Sequence, residues 1–129
     1  MAISWEIDPT KGQVSLVISG QLGDEELMAT VKSFLNDPAY KPGMPILSNH
    51  LELKSSITPA QMAAMINYLK PRNNLIVNMC CAIVTTRLMS KTMVSILSAL
   101  SHRVPASIRA FSTVAEAQRW LDATTAGPD

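Results

Sequence analysis

MCCAIVT, residues 79–85, is apolar at every position except the last. A strand with one face in water alternates apolar and polar residues, whereas a strand covered on both faces is apolar throughout. The segment therefore predicts an inner strand of a largely parallel sheet with helices on both faces. Because neighbouring strand residues point to opposite faces, Cys80 and Cys81 are predicted to pack on different sides and not to pair with each other.

Helix signals lie on the amino-terminal side of this strand. Thr58, Pro59 and Gln61 form a capping box with proline at the first helical position. A Lys-Pro pair at residues 70–71 ends the predicted helix, and residues 72–74 predict a turn. The apolar stripe of this helix comprises Met62, Met65, Ile66 and Leu69.

The chain on the carboxyl-terminal side continues the alternation of helix and strand. Apolar residues recur at helical spacing over residues 89–100, and Pro105 ends that helix. Residues 107–111 predict a last strand. Thr113 and Glu116 predict a second capping box. The stripe of the last helix comprises Val114, Ala117, Trp120 and Leu121.

The amino-terminal part predicts a hairpin, a helix and a strand. Residues 3–7 and 13–19 read as short strands that are separated by a Pro-Thr-Lys-Gly turn. Acidic residues 24–26 suit a helix N-terminus, and residues 46–49 form the next strand. The stripe of this first helix comprises Leu27, Val31, Phe34 and Leu35. The predicted fold class is α/β, with a mixed, mostly parallel five-stranded sheet, an N-terminal hairpin and about four helices in the order β-β-α-β-α-β-α-β-α.

The composition bounds the size of the protein and its partners. The chain has 129 residues, of which 47% are hydrophobic and 16% charged, and its net charge is +1. We expect one domain over residues 1–129, ordered over about residues 3–123, and no nucleic-acid partner, because there is no excess of Lys and Arg to neutralise phosphates. No apolar run approaches about 18 residues, so no membrane span is expected. The N-terminus lacks a secretory signal pattern and the two cysteines form no disulfide pattern, which favours a reducing, cytoplasmic compartment.

Four segments carry a resemblance to a known family. They are DPAYKPGMPIL (residues 37–47) before the third strand, Thr58-Pro59 at the start of the second helix, AIV (residues 82–84) in the fourth strand and RAFSTVAEAQRWL (residues 109–121) at the end. In this order they resemble the STAS superfamily of anti-sigma-factor antagonists, and more closely its small stand-alone bacterial branch, described as STAS-like or lipid-transfer-like. The resemblance spans about residues 5–122 and implies a STAS-like fold with a regulatory or binding role.

Two departures mean that the resemblance transfers no active site. The family usually places an Asp at the end of the third strand, where this chain has Asn49 followed by His50. The phosphorylatable serine of the antagonists lies at the start of the second helix, where this chain has Ser55, Ser56 and Thr58 without a glycine-rich pattern. Ser55 and Ser56 are candidate phosphoacceptors, since a phosphate near a helix N-terminus meets free N–H groups. A capped helix with a polar lead-in loop explains the same residues without phosphorylation.

A small polar pocket is predicted where two neighbouring strands end. Ligands of open α/β sheets lie beyond the carboxyl ends of the strands, and nearby cationic side chains would attract an anion. Ordinary loop and helix-cap chemistry is the alternative explanation of the same positions. The candidate ligand- or partner-binding residues are Asn49, His50, Thr85, Thr86, Arg87 and Lys91.

The predicted function is a non-catalytic regulatory or protein-interaction module of STAS type, which binds a protein partner or forms a homodimer around the second and third helices. The alternative is a carrier or sensor of a small apolar or anionic ligand between those helices, near Asn49 and Arg87, which requires an enclosed pocket of about 300 Å³ or more. An enzyme is not expected, because the sequence shows no nucleophile–base pair, metal cluster or phosphate-binding glycine loop. No cofactor and no metal are predicted, since the histidines, His50 and His102, have no converging ligands.

Overall fold

Five strands form one mixed sheet in the order β1-β2-β3-β4-β5. The computed structural model describes residues 2–21, 23–55, 58–86 and 106–126. Strand β1 is antiparallel to β2, and the other neighbouring strands are parallel. The predicted N-terminal hairpin and mostly parallel sheet are therefore confirmed. The strands are β1 (Ala2–Asp8), β2 (Gln13–Gly20), β3 (Ile46–Leu53), β4 (Met79–Val84) and β5 (Ala106–Phe111).

The helices of the described residues follow the predicted alternation, with one addition. Three of them, α1 (Asp24–Leu35), α2 (Pro59–Leu69) and α4 (Val114–Ala126), correspond to predicted helices. The addition is α3 (Asn73–Ile76), which follows a 3₁₀ turn at Lys70–Arg72. The helix predicted over residues 89–100 lies outside the described residues.

Strand β4 is covered on both faces, as its apolar sequence predicts. Met79 and Cys81 pack in the core that the sheet forms with α1 and α2, whereas Cys80 packs beside the buried Ala82 on the opposite face, against α4. The two cysteines are free thiols on different sides of the sheet. In α4 the side chain of Val114 is exposed, which corrects its predicted place in the apolar stripe.

A β-bulge extends β3 beyond its predicted end. Val17 of β2 pairs with Asn49, but Ser19 pairs with Glu52, so two residues of β3 oppose one residue of β2. The extra residue shifts the alternation, and both His50 and Leu53 are buried although they are three positions apart. The sequence pattern breaks after residue 49 for this reason, and the strand nevertheless continues to Leu53.

The turn predicted at residues 72–74 is replaced by helical structure. Ile76 of α3 is completely buried, so the segment contributes to the core. The Tyr40 hydroxyl donates a 2.6 Å hydrogen bond to the carbonyl of Leu75, and the N–H of Gly43 donates to the same oxygen. These bonds tie the proline-rich loop before β3 to the chain before β4.

Both helices with predicted capping boxes begin with a threonine cap. At α2 the box is complete, since Thr58 Oγ1 accepts from the N–H of Gln61 and the Gln61 side chain accepts from the N–H of Thr58. At α4 the hydroxyl of Thr113 accepts from the N–H of Glu116 and donates to the Glu116 carboxylate. The second box therefore uses the hydroxyl of Thr113 for both bonds.

Candidate functional site

A cavity of about 100 Å³ lies between the sheet and helices α1 and α2. We call it the sheet–helix cavity. Apolar side chains from all five described strands line it, together with side chains from both helices. Lining residues include Val31 and Phe34 of α1, Met62 and Met65 of α2, and Ile83 and Ile108 of the sheet.

Two polar side chains of the cavity wall come from β3, and a third, Thr30, comes from α1. Ile46, Ser48 and His50 alternate along the strand and point to the same face. Ser48 is 6% exposed and His50 is 4% exposed. Oγ of Ser48 and Nε2 of His50 lie 2.7 Å apart and form a hydrogen bond. The pair therefore places polar atoms in a wall that is otherwise almost entirely apolar.

Burial sets the charge of the titratable side chains in the wall. Burial lowers the pKa of His50 to about 4, so its imidazole is neutral at pH 7. Burial, with a further contribution from the neighbouring Cys80, raises the pKa of Cys81 to about 12. The Cys81 thiol is therefore protonated and a poor nucleophile. At neutral pH the described wall carries no charge.

Ser48 and His50 have the spacing of a nucleophile and a base, which the sequence did not make evident. A catalytic pair needs a base that can accept a proton near neutral pH and a third group that orients it. His50 is a weak base because of its lowered pKa, and no hydrogen bond to its Nδ1 is found among the described residues.

The end of β4 lies beside Asn49, which is inside β3 because that strand continues to Leu53. Asn49 pairs with Val84, so Thr85 and Thr86 follow directly beside it. Thr85 is fully buried, and its N–H donates to the carbonyl of Phe111, whereas Thr86 is exposed. Asn49 lies on the sheet face opposite His50, and its side-chain oxygen accepts from the N–H of Leu51.

Several predicted site residues are placed elsewhere or lie outside the described residues. Ser55 is half-buried in the loop between β3 and α2. Ser56, Arg87 and Lys91 lie outside the described residues, as does His102. The phosphoacceptor and anion-binding hypotheses therefore remain predictions.

The sequence analysis assigned the apolar lining to the core, and it expected Ser48, Asn49 and His50 together at a small polar pocket where their strand ends. The lining residues of α1 and α2 belong to the predicted core stripes, and a core stripe has the same pattern as a cavity wall. One signal was present in the sequence. Ser48 and His50 follow Ile46 at every second position of a buried strand, so both polar side chains must face the core.

The part of the chain that the structure describes contains neither a metal-binding cluster nor a membrane-spanning helix. Among residues 2–21, 23–55, 58–86 and 106–126, no group of three His, Cys, Asp or Glu side chains is arranged to hold a metal ion. No helix of the described chain combines the length and apolar character needed to cross a bilayer.

The fold is shared with a solved structure. No family model and no curated protein matches the chain. An uncharacterised protein of the DUF3478 family with a SpoIIAA-like fold, from Shewanella loihica PV-4, is similar to it with a TM-score of 0.61 and 15% sequence identity. The match covers 93% of this chain and 92% of that chain. This chain therefore has the SpoIIAA-like fold, which is the STAS-like fold that the sequence resemblance implied.

Proposed function

We propose that this chain is a non-catalytic binding domain that holds a small apolar ligand in the sheet–helix cavity. The observation that carries the proposal is the cavity itself, which is lined by apolar side chains of the sheet, α1 and α2. Close-packed protein interiors contain few voids larger than a water molecule, so a void of this size is unusual in a domain this small. Apolar cavities in proteins can bind small apolar molecules.

The position and volume of the cavity change the carrier hypothesis drawn from the sequence. That hypothesis placed the ligand near Asn49 and Arg87 and required about 300 Å³. The sheet–helix cavity lies instead over β3 and β4, beneath α1 and α2, and has a volume of about 100 Å³. A cavity of about 150 Å³ accommodates benzene, so we propose a ligand of about four to six non-hydrogen atoms, or part of a larger molecule.

The two adjacent cysteines provide a matched pair of variants for the experiment. Cys81 lines the cavity, whereas Cys80 packs on the opposite face of the sheet. Cys81→Leu adds side-chain volume inside the cavity, and Cys80→Leu adds the same volume elsewhere. We expect 2-methylbutane, used as an apolar probe, to shift the NMR methyl resonances of Met62 and Ile108 in the wild type and in Cys80→Leu but not in Cys81→Leu.

Mass spectrometry of solvent extracts from the purified protein identifies a natural ligand. We expect a small apolar compound in extracts of the wild type and of Cys80→Leu, and less of it in extracts of Cys81→Leu. If the wild type neither yields such a compound nor responds to the probe, the proposed function is wrong. Labelling of Ser48 by a fluorophosphonate would contradict the non-catalytic part of the proposal, because that reagent requires an activated serine.

A second candidate is the regulatory or protein-interaction role predicted from the sequence. It is favoured by the exposure of Val17 and Leu51, which are 39% and 44% exposed at the bulged part of β2 and β3. We propose a cytoplasmic setting for either role, because both cysteines are free. Sedimentation analysis tests the homodimer form of this candidate. A dimer that Leu51→Glu dissociates would support the homodimer. A wild type that is monomeric at all concentrations would contradict the homodimer.

A further inference from the structure

We infer that the ligand of the sheet–helix cavity carries one uncharged hydroxyl group, which forms a hydrogen bond with the free ring nitrogen of His50. The inference rests on the proposed function, because it assigns a ligand class to that cavity. It adds a recognition element, since apolar walls alone select for size and shape but give no preference for a polar group.

The first step is the hydrogen bonding of His50. Its Nε2 is paired with Ser48, and Nδ1 has no hydrogen-bond partner among the described residues. In the described part of the chain, every fully enclosed side-chain nitrogen and oxygen does have a partner. Nδ1 must therefore border open space, and among the described pockets the sheet–helix cavity is the one whose wall includes His50. An imidazole that is 4% exposed thus keeps one hydrogen-bonding position for a ligand.

The second step concerns the charge of the ligand. The described wall of the cavity contains no Lys, Arg, Asp or Glu. Its titratable groups, His50 and Cys81, are both neutral at pH 7 because they are buried. An ionised ligand would lose its hydration and find no opposite charge on the described wall, which is strongly unfavourable. The ligand group that meets His50 is therefore uncharged.

The third step concerns the type of polar group. When the Ser48 hydroxyl donates to Nε2, the hydrogen of the ring is on Nδ1 and the ring donates to the ligand. When Nε2 instead donates to Ser48, Nδ1 accepts from the ligand. A hydroxyl group can both donate and accept, so it matches His50 in either tautomer. Small alcohols are therefore the ligand class that best fits the pair.

Two probes of nearly equal shape test the inference. 2-Butanol and 2-methylbutane differ by a hydroxyl in place of a methyl group. The test compares the ratio of their dissociation constants in the wild type with the same ratio in Ser48→Ala/His50→Phe, where both polar partners are replaced together. We expect the preference for the alcohol to fall about three- to tenfold in the variant, which corresponds to one hydrogen bond. An unchanged ratio overturns the inference and leaves the proposed function standing.

A measurement on the wild type makes the test independent of how well the variant folds. The ¹⁵N resonance of His50 Nδ1 should shift with 2-butanol and not with 2-methylbutane. A resonance that responds equally to both probes overturns the inference. Isobutyrate is the charged probe, and binding as tight as that of 2-butanol would overturn the uncharged class. If neither neutral probe binds, the proposed function and the inference both fail.

Discussion

At the scale of single residues, the ionisation of His50 links the core to pH. Its pKa is lowered to about 4 by burial, from an ordinary value of 6.5 in an exposed chain. As pH falls below 6.5 the unfolded chain takes up a proton before the folded chain does. The contribution of His50 to the free energy of unfolding is therefore fully present above pH 6.5 and is lost as pH falls toward 4. The difference between the two pKa values corresponds to a loss of about 3 kcal/mol.

Urea unfolding at pH 7.5 and pH 4.5 measures this loss. The wild type should lose more free energy of unfolding over that range than Ser48→Ala/His50→Phe, which has no imidazole at position 50. The carboxylates titrate in both proteins, so the difference between them isolates His50. Equal losses in the two proteins would show that burial does not hold His50 neutral.

Gly43 illustrates a second requirement at the residue scale. Its φ is +82°, and a Cβ at this position would lie 2.7 Å from the carbonyl oxygen of Val77. Gly12 has a similar φ of +68°, with no atom within 4 Å of the same Cβ position. Gly12→Ala therefore incurs only the backbone cost, about 1 kcal/mol, whereas Gly43→Ala adds a clash and should cost about 3 kcal/mol.

The two alanine variants are compared by their midpoints of urea unfolding. Because both glycines lie in loops with positive φ, Gly12→Ala serves as the control for the conformational part of the cost. A loss in Gly43→Ala no larger than that in Gly12→Ala would mean that the loop moves away from Val77 at little cost.

At this scale the sequence predicts the direction of a side chain better than its role. Alternation places Cys80 and Cys81 on opposite faces, and the structure agrees. The same alternation separates Asn49 from His50, although the sequence analysis placed both in one pocket. Proximity along the chain suggested a shared site, but adjacent residues of a strand face opposite sides of the sheet.

At the scale of elements, paired amides connect α4 to the sheet. The Gln118 amide donates to the side-chain oxygen of Gln13 at 2.8 Å, and the Gln13 amide donates back at 3.1 Å. Gln13 is buried, so loss of Gln118 removes the bond to its side-chain oxygen, whereas its amide keeps a 3.3 Å bond to the Ser15 hydroxyl. We expect Gln118→Leu to cost about 1–3 kcal/mol.

The double variant Gln13→Leu/Gln118→Leu separates this pairing from packing. It removes both polar groups together, so its cost should be smaller than the sum of the two single costs. Free energies of unfolding from urea titrations of the four proteins complete the cycle. Additive costs would indicate that the two amides do not stabilise each other.

The boundaries of elements depend on contacts that the sequence does not show. The cap at Thr58 fixes the start of α2 from local residues alone, and the structure has that bond. The end of β3 depends on a bulge against β2, and α3 depends on the burial of Ile76 and on the bond from Tyr40. Those partners are distant in sequence, so the strand was predicted too short and the helix was predicted as a turn.

At the scale of the whole molecule, the sheet separates two sets of core contacts. On one face Ala117 and Leu121 of α4 are completely buried against Ala82 and Val84. On the other face α1 and α2 leave the sheet–helix cavity. The pattern of apolar residues predicts that both faces are covered, but how completely a covered face is filled depends on side-chain volumes in three dimensions.

Unfolding under pressure measures how much the cavity contributes to the volume change of unfolding. Pressure favours the unfolded state because internal voids disappear on unfolding, and the volume change scales with the void. Cys81→Leu fills part of the cavity, so its volume change of unfolding should be less negative than that of the wild type, by on the order of 20 mL/mol. Cys80→Leu enlarges a side chain on the opposite face of the sheet, outside the cavity wall, and should show no such decrease. Equal changes in the two variants would mean that the cavity does not persist in solution, and the ligand site proposed for it would then have no space.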